Sequence, residues 1–171
     1  MSKAIVSRRQ DELCEEIRRQ GMTHKEFCEK LGWCPLTISR WRTRGAGNRT
    51  PWVDEAVTAW RALGYALTPQ PIEGAKVERG SYGRFLKAPL ACSPIVARIF
   101  FEQEKLGWTR KQLAEVSGIG ENTLGRMATG ESRGKYDYVE ACFNAMGLTL
   151  KPVKTNGRTR SLGKEIRNAM Q

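Results

Sequence analysis

The side chains of this chain that could do chemistry are mostly cations. Lys and Arg number 29 against 18 Asp and Glu, giving a net charge of +11 and a pI near 9.8. That balance is the electrostatic footprint of a partner rich in phosphate. Basic proteins are also charged for solubility alone, so the charge by itself leaves both readings open. Its placement is uneven: residues 40–49 carry Arg40, Arg42, Arg44 and Arg49 with no acid, and residues 154–171 carry Lys154, Arg158, Arg160, Lys164 and Arg167 against Glu165. The stretch Thr155-Asn156-Gly157-Arg158-Thr159-Arg160 has the composition of a mobile arm, and equally of a solubilising end.

Groups suited to covalent or metal chemistry are sparse. His24 is the one histidine, it belongs to no recognisable Ser, Cys or carboxylate constellation, and there is no Gly-rich phosphate loop. The expectation is therefore no enzyme and no cofactor. Cys14, Cys28, Cys34, Cys92 and Cys142 form no C-x-x-C pair, which with a single histidine argues against a zinc site. Cys28 and Cys142 fall at apolar helical positions and read as small core residues. The N-terminal residues lack a secretory pattern, and the most apolar run, Ile95 to Phe101, is broken by Arg98. A cytoplasmic protein with reduced thiols and no membrane partner is expected.

The elements that must position the cations are written twice. Gly21-Met22-Thr23-His24-Lys25-Glu26-Phe27-Cys28-Glu29-Lys30-Leu31-Gly32-Trp33 returns 86 positions later as Gly107-Trp108-Thr109-Arg110-Lys111-Gln112-Leu113-Ala114-Glu115-Val116-Ser117-Gly118-Ile119. The match continues through Thr37/Thr123, Ile38/Leu124, Arg40/Arg126 and Thr43/Thr129. A repeat of this length fixes architecture before any single residue is interpreted. Ser7 with Gln10 predicts a capped helix over 8–20 that turns Leu13, Cys14 and Ile17 inward, and Ser93-Pro94 starts its counterpart. Thr23 and Thr109 cap the next helix, whose buried stripe is Phe27, Cys28 and Leu31, or Leu113 and Ala114. Gly32 and Gly118 supply a sharp, left-handed turn.

A third helix is predicted over 35–43 and 121–129, turning Ile38 and Trp41, or Leu124 and Met127, to the core. A fourth follows over 51–63, signalled by Thr50-Pro51, and over 136–146, presenting Val53, Trp60 and Leu63 or Tyr136, Val139, Cys142 and Phe143. The loop before it is three residues longer in the first copy, so the offset falls from 86 to 83. Trp41, Trp60 and Trp108 read as core residues. Short strands at 65–68 and 148–151 are predicted to pair in an antiparallel ribbon about a pseudo-twofold axis, making the chain an internal imitation of a dimer. The organisation is thus a first domain over 1–70, a linker over 71–92 whose Lys76, Arg79, Arg84 and Lys87 could touch phosphate, a second domain over 93–153, and a basic tail over 154–171.

On the pattern Thr-x-x-x-Leu/Phe-Ala/Cys-x-x-x-Gly-apolar, present twice in register, each copy resembles the lambda-repressor/Cro-type (XRE-like) helix-turn-helix domain over about 8–69 and 94–153. Cys28, Trp33 and Ser117 depart from the residues usual in that family. The resemblance implies a mainly α fold: two tandem lambda-repressor-like helix-turn-helix domains, each followed by a short β-strand. In that family the third helix enters the major groove while the second crosses the backbone. Carried onto this sequence, the base-edge candidates are Pro35, Leu36, Thr37, Ser39 and Arg40, and in the second copy Glu121, Asn122, Thr123 and Arg126. Arg grips guanine in a bidentate way, Asn adenine; Glu accepts from cytosine, and Leu36 suits a thymine methyl. Backbone candidates are His24, Lys25, Arg42, Arg44, Arg49, Arg110, Lys111, Arg133, Lys135, Arg158 and Arg160.

The implied function is a sequence-specific, double-stranded DNA-binding transcriptional regulator of bacterial or phage-like origin that reads a two-part operator with non-identical helices. It would act as a monomeric pseudo-dimer or as a homodimer, with RNA polymerase or another protein as a further candidate partner. The alternatives are an antitoxin-type interaction module that binds its own promoter, and an architectural or recombination accessory protein.

Overall fold

The computed structural model describes residues 8–42, 50–80 and 92–155. Ser7, Thr43, Arg44, Arg49, Arg84, Lys87, Arg158 and Arg160 lie outside the described residues. The described elements run α1 (Arg8–Arg19), α2 (His24–Lys30), α3 (Thr37–Arg42), α4 (Val53–Ala62), β1 (Tyr65–Pro71), α5 (Pro94–Lys105), α6 (Arg110–Ser117), α7 (Glu121–Ala128), α8 (Tyr136–Ala145) and β2 (Leu148–Lys154). The fold is mainly helical with one two-stranded antiparallel sheet.

Local chemistry sets the helix ends. The Thr23 hydroxyl accepts the Glu26 N–H (3.2 Å) while the Glu26 carboxylate accepts the Thr23 N–H (2.7 Å). Thr109 and Gln112 repeat this capping box at 3.1 and 2.7 Å. These bonds hold the Glu26 carboxyl below the usual carboxylate range. Between α2 and α3 the chain reverses through Gly32 (φ +67), with Trp33 N–H donating to the Cys28 carbonyl (2.8 Å) and Gly32 N–H to Glu29 (3.0 Å). That is a Schellman closure. Between α6 and α7, Gly118 (φ +72) bonds the Ala114 carbonyl (3.0 Å), and the Ser117 hydroxyl accepts the Ile119 N–H (3.3 Å). Ser117, unusual at an apolar position, thus replaces a main-chain acceptor.

Two predicted helix starts move. α3 begins at Thr37 rather than 35, because Pro35 and Leu36 form a turn closed by the Thr37 N–H on the Cys34 carbonyl (2.9 Å). α4 begins after Trp52, whose N–H meets the Glu55 carboxylate (3.2 Å), and Thr50 is occupied elsewhere.

The two four-helix units share one hydrophobic core, which includes Ile17, Phe27, Ile38, Trp41 and Trp60 of the first and Ile99, Leu113, Leu124, Met127 and Phe143 of the second. Tyr136 of α8, 1% exposed, reaches the other unit, where it lines a small void with Leu13, Trp41, Pro51, Ala56 and Trp60. Glu16 is buried beside β1, accepting from Tyr65 Oη (3.0 Å), Gln20 (3.1 Å) and Arg19 (2.6 Å). Gln20, then Tyr65 and Arg19, hold its carboxyl below the usual range against the opposing effect of burial.

β1 pairs with β2 in a register that is its own mirror image. Thr68 faces Lys151, its counterpart 83 positions on, and Leu67↔Pro152 is matched by Pro69↔Leu150, Tyr65↔Lys154 by Pro71↔Leu148. The same axis recurs at the α4 and α8 starts. There Trp52 bridges Lys135, its own counterpart, while Val53 N–H donates to Gly134 (3.0 Å) and Tyr136 N–H to Pro51 (2.9 Å). The predicted pseudo-twofold ribbon is therefore present, and it is longer than 65–68 and 148–151.

The reason lies in the prolines that follow those predicted bounds, Pro69 and Pro71 in one strand and Pro152 in the other. Thr155 N–H bonds Gly64 (2.9 Å) and Ile72 N–H bonds Gly147 (2.8 Å). By the alternation of an antiparallel ladder, positions 66, 68 and 70 then point their N–H inward, and 65, 67, 69 and 71 outward. Pro69, Pro71 and Pro152 all fall at outward positions, where they lose no ladder bond and blunt both sheet edges.

Candidate nucleic-acid interface

The residues singled out on the third helices gather at two exposed tips. On the first, Pro35, Leu36 and Arg40 are exposed and Thr37 and Ser39 half-buried, with Leu36 54% exposed despite being apolar. On the second, Glu121, Asn122 and Arg126 are exposed and Thr123 half-buried. Beneath each tip the inward residues Ile38 and Trp41, or Leu124 and Met127, anchor the helix in the core. Arg126 is 66% exposed at its side chain and lies 3.8 Å from Glu131. That surface pair is weakly held, so the guanidinium can be recruited elsewhere.

The cations preceding these helices divide. Lys25 and Lys111 are exposed, Lys25 lying 3.9 Å from Glu29. His24 is half-buried. Arg110 is also half-buried, its guanidinium 5.9 Å over the Phe100 ring and against α7 at Gly125, where an added Cβ would sit 3.6 Å from Nη1. It braces the third helix as well as offering charge. For Arg42 only the helical backbone is described.

Arg133 and Lys135 are brought to the pseudo-axis. Arg133 lies 3.8 Å from Asp54 of the first unit and 5.6 Å over the Trp52 ring; Lys135 is 5.8 Å over Tyr138. The mirror image of the Arg133–Asp54 pair is the Thr50 hydroxyl donating to Asp137 (3.1 Å). Burial raises the Asp137 carboxyl above the usual range, with Thr50 and Lys135 opposing it. Trp52, Asp54 and Asp137 were not singled out from sequence, and Thr50 was read only as the signal of a helix start. The offset of 83 was the available signal, since it aligns Trp52 with Lys135 and Asp54 with Asp137.

Part of the predicted linker is not a free connection: residues 72–80 lie against the second unit, with Val77 packed on the core and Lys76 and Arg79 exposed. Among the described residues no group of three or more His, Cys, Asp or Glu could hold a metal, and no helix is long and apolar enough to cross a membrane. Burial pushes the Cys142 thiol up to about 12. Comparison with protein-family models, curated proteins and solved structures finds no match.

Proposed function

We propose that the chain is a sequence-specific double-stranded DNA-binding transcriptional regulator. Its two four-helix units act as lambda-repressor-like helix-turn-helix domains, and one chain occupies both halves of a two-part operator. The observation that carries this reading is the internal axis, seen in the self-mirrored ribbon register and in the reciprocal bonds between the α4 and α8 starts. Such symmetry matches the twofold character of duplex half-sites. The seven residues from Ala128 to Lys135 reach at most about 25 Å. That is enough for α7 to stand about 17 Å from the axis, half of one helical turn of DNA. Arg133 and Lys135 would then face the backbone near the operator centre, and the unlike tips, Pro35-Leu36 against Glu121-Asn122, would read unlike half-sites. The net charge of +11 supports a polyanionic partner.

Selection from random duplexes with the full chain is the test. The expected product is two non-identical half-sites at one fixed spacing, with log affinity falling against log salt at about −0.9 per phosphate neutralised. Failure to enrich any sequence, with a flat salt dependence, would overturn the reading. Genome-wide binding profiles separate a regulator, with peaks at promoters, from an accessory protein beside an integration site, and a co-purifying small partner would mark an antitoxin.

A further inference from the structure

Residues 72–80 form a strap over the second unit. Ile72 N–H donates to Gly147, Gly80 N–H to Leu106 and Trp108 Nε1 to the Glu78 carbonyl, each at 2.8 Å. Val77 packs where Gly147 lacks a side chain; a Cβ there would come within 2.6 Å of it. At the other end a Cβ on Gly80 would collide with the Gly107 carbonyl, so the strap lies directly on the residue before Trp108. Only glycine permits so close an approach of two main chains.

Trp108 immediately precedes the Thr109 cap of α6, and it is gripped from two sides. Helix α5 holds its main chain: Trp108 N–H donates to the Gln103 carbonyl (3.1 Å), and the Gln103 amide donates to the Trp108 carbonyl (3.0 Å). The strap holds its indole, which is left 7% exposed. From there contacts continue to α7. Thr109 and Gln112 close the capping box, and Arg110 leans its guanidinium over Phe100 and against Gly125. An unbroken set of contacts therefore runs from the strap through the start of α6 to the middle of α7. The first unit differs at the first link, because Met22 stands where Trp108 stands and a thioether has no N–H to give a carbonyl.

We propose that the strap positions the second reading helix: residues 72–80, acting through Trp108, set the pose of α6 and α7 on the second half-site. Val77, the Glu78 main chain and Gly80 are positioning residues that work through Trp108. The inference rests on the DNA-binding reading and adds an asymmetry to it, since the second half-site depends on the strap and the first does not. Holding two helices in their bound pose before DNA arrives removes an ordering cost from that half.

Two variants of the full chain test it. Gly80→Ala drives a Cβ into the Gly107 carbonyl and lifts the strap, and Val77→Ala loosens it more gently if Gly80→Ala fails to fold. In amide NMR of the DNA-free protein, the Gly125 and Arg126 resonances on α7 should move, while Ser39 and Arg40 at the matching places of α3 stay. On the selected duplex Gly80→Ala should weaken binding about tenfold and Val77→Ala less. That loss should persist when the first half-site is scrambled and vanish when the second is. Unmoved α7 resonances, or equal losses on the two scrambled duplexes, would overturn the proposal. A chain that enriches no duplex would instead overturn the DNA-binding reading, and the α7 resonances would still decide whether the strap positions that helix.

Discussion

The two four-helix units close the turn after their second helix at the same point of the chain but with different atoms. In the first, the main chain satisfies itself and the indole of Trp33 packs on Trp41, ring centroids 5.5 Å apart. In the second, the Ser117 hydroxyl takes the Ile119 N–H, and Ile119 and Met127 occupy the places of the two indoles. Likewise Arg110 leans over Gly125 in one unit where the other has His24 and Ser39. Scaffold residues change in matched sets, so that the turn survives, whereas at the exposed tips Thr37/Thr123 and Arg40/Arg126 recur while Pro35-Leu36 and Glu121-Asn122 differ with no compensating partner inside the chain. Packing couples the first kind of change; only a partner outside the chain would constrain the second.

The two units share one hydrophobic core and should unfold as one cooperative body. Tyr136→Ala removes a side chain buried in the opposite unit and should lower stability by about 3–5 kcal/mol. Its mirror, Val53→Ala, should cost less because less volume is lost. Urea unfolding followed by far-ultraviolet dichroism and by tryptophan fluorescence should stay coincident in both variants. Separate transitions would mean that the shared core is not continuous in energy.

Next in size is the matched indole pair. Trp33→Ile alone leaves Trp41 against a void, and Trp41→Met alone does the reverse; each should cost about 1–3 kcal/mol. Made together, they install the residues of the second unit and should cost less than the sum, with a coupling of about 0.5–2 kcal/mol. Additivity in the thermal or urea cycle would show that the two rings do not act as a set.

At the tips, Arg40→Ala and Arg126→Ala should each weaken binding by about 1–3 kcal/mol at one half-site only. Base preferences at the other half should stay unchanged. The check is a repeat of duplex selection with each variant, alongside affinity for unrelated DNA. Equal losses on specific and unrelated duplexes would assign both arginines to phosphate and weaken the contrast between scaffold and tip.

Much of this division was legible in the sequence. Helical periodicity, Thr23 and Thr109 as caps, and Gly32 and Gly118 as left-handed turns are local demands that single residues announce. The ribbon was legible because two alternating segments recurred at one offset. Its length was not, since Pro69 and Pro152 end most strands and only the ladder phase tells that they face outward. Glu16 gave no sign of burial, because its partner Tyr65, and Leu63, whose carbonyl accepts from the Gln20 that binds it, lie far along the chain. The axis residues stayed hidden for a similar reason: Thr50 and Asp137 acquire meaning only when two copies meet.

That axis yields the smallest test. Asp54 and Asp137 are mirror positions, but Asp54 lies beside Arg133 whereas Asp137 has the Thr50 hydroxyl and a carboxyl raised by burial. A carboxyl raised in the folded state favours folding when protonated. Its contribution is full below about pH 4, where free aspartates titrate, and is lost as pH rises through the higher folded value. Asp137→Asn keeps an acceptor for Thr50 and removes the charge, so it should raise stability at pH 7 and leave it unchanged near pH 3. Solvent screening holds the gain to less than about 1 kcal/mol. Asp54→Asn, which loses a charge beside Arg133, should give no gain at pH 7. If thermal melts at the two pH values move in parallel for both variants, the two sides of the axis are electrostatically alike, and its asymmetry is one of shape alone.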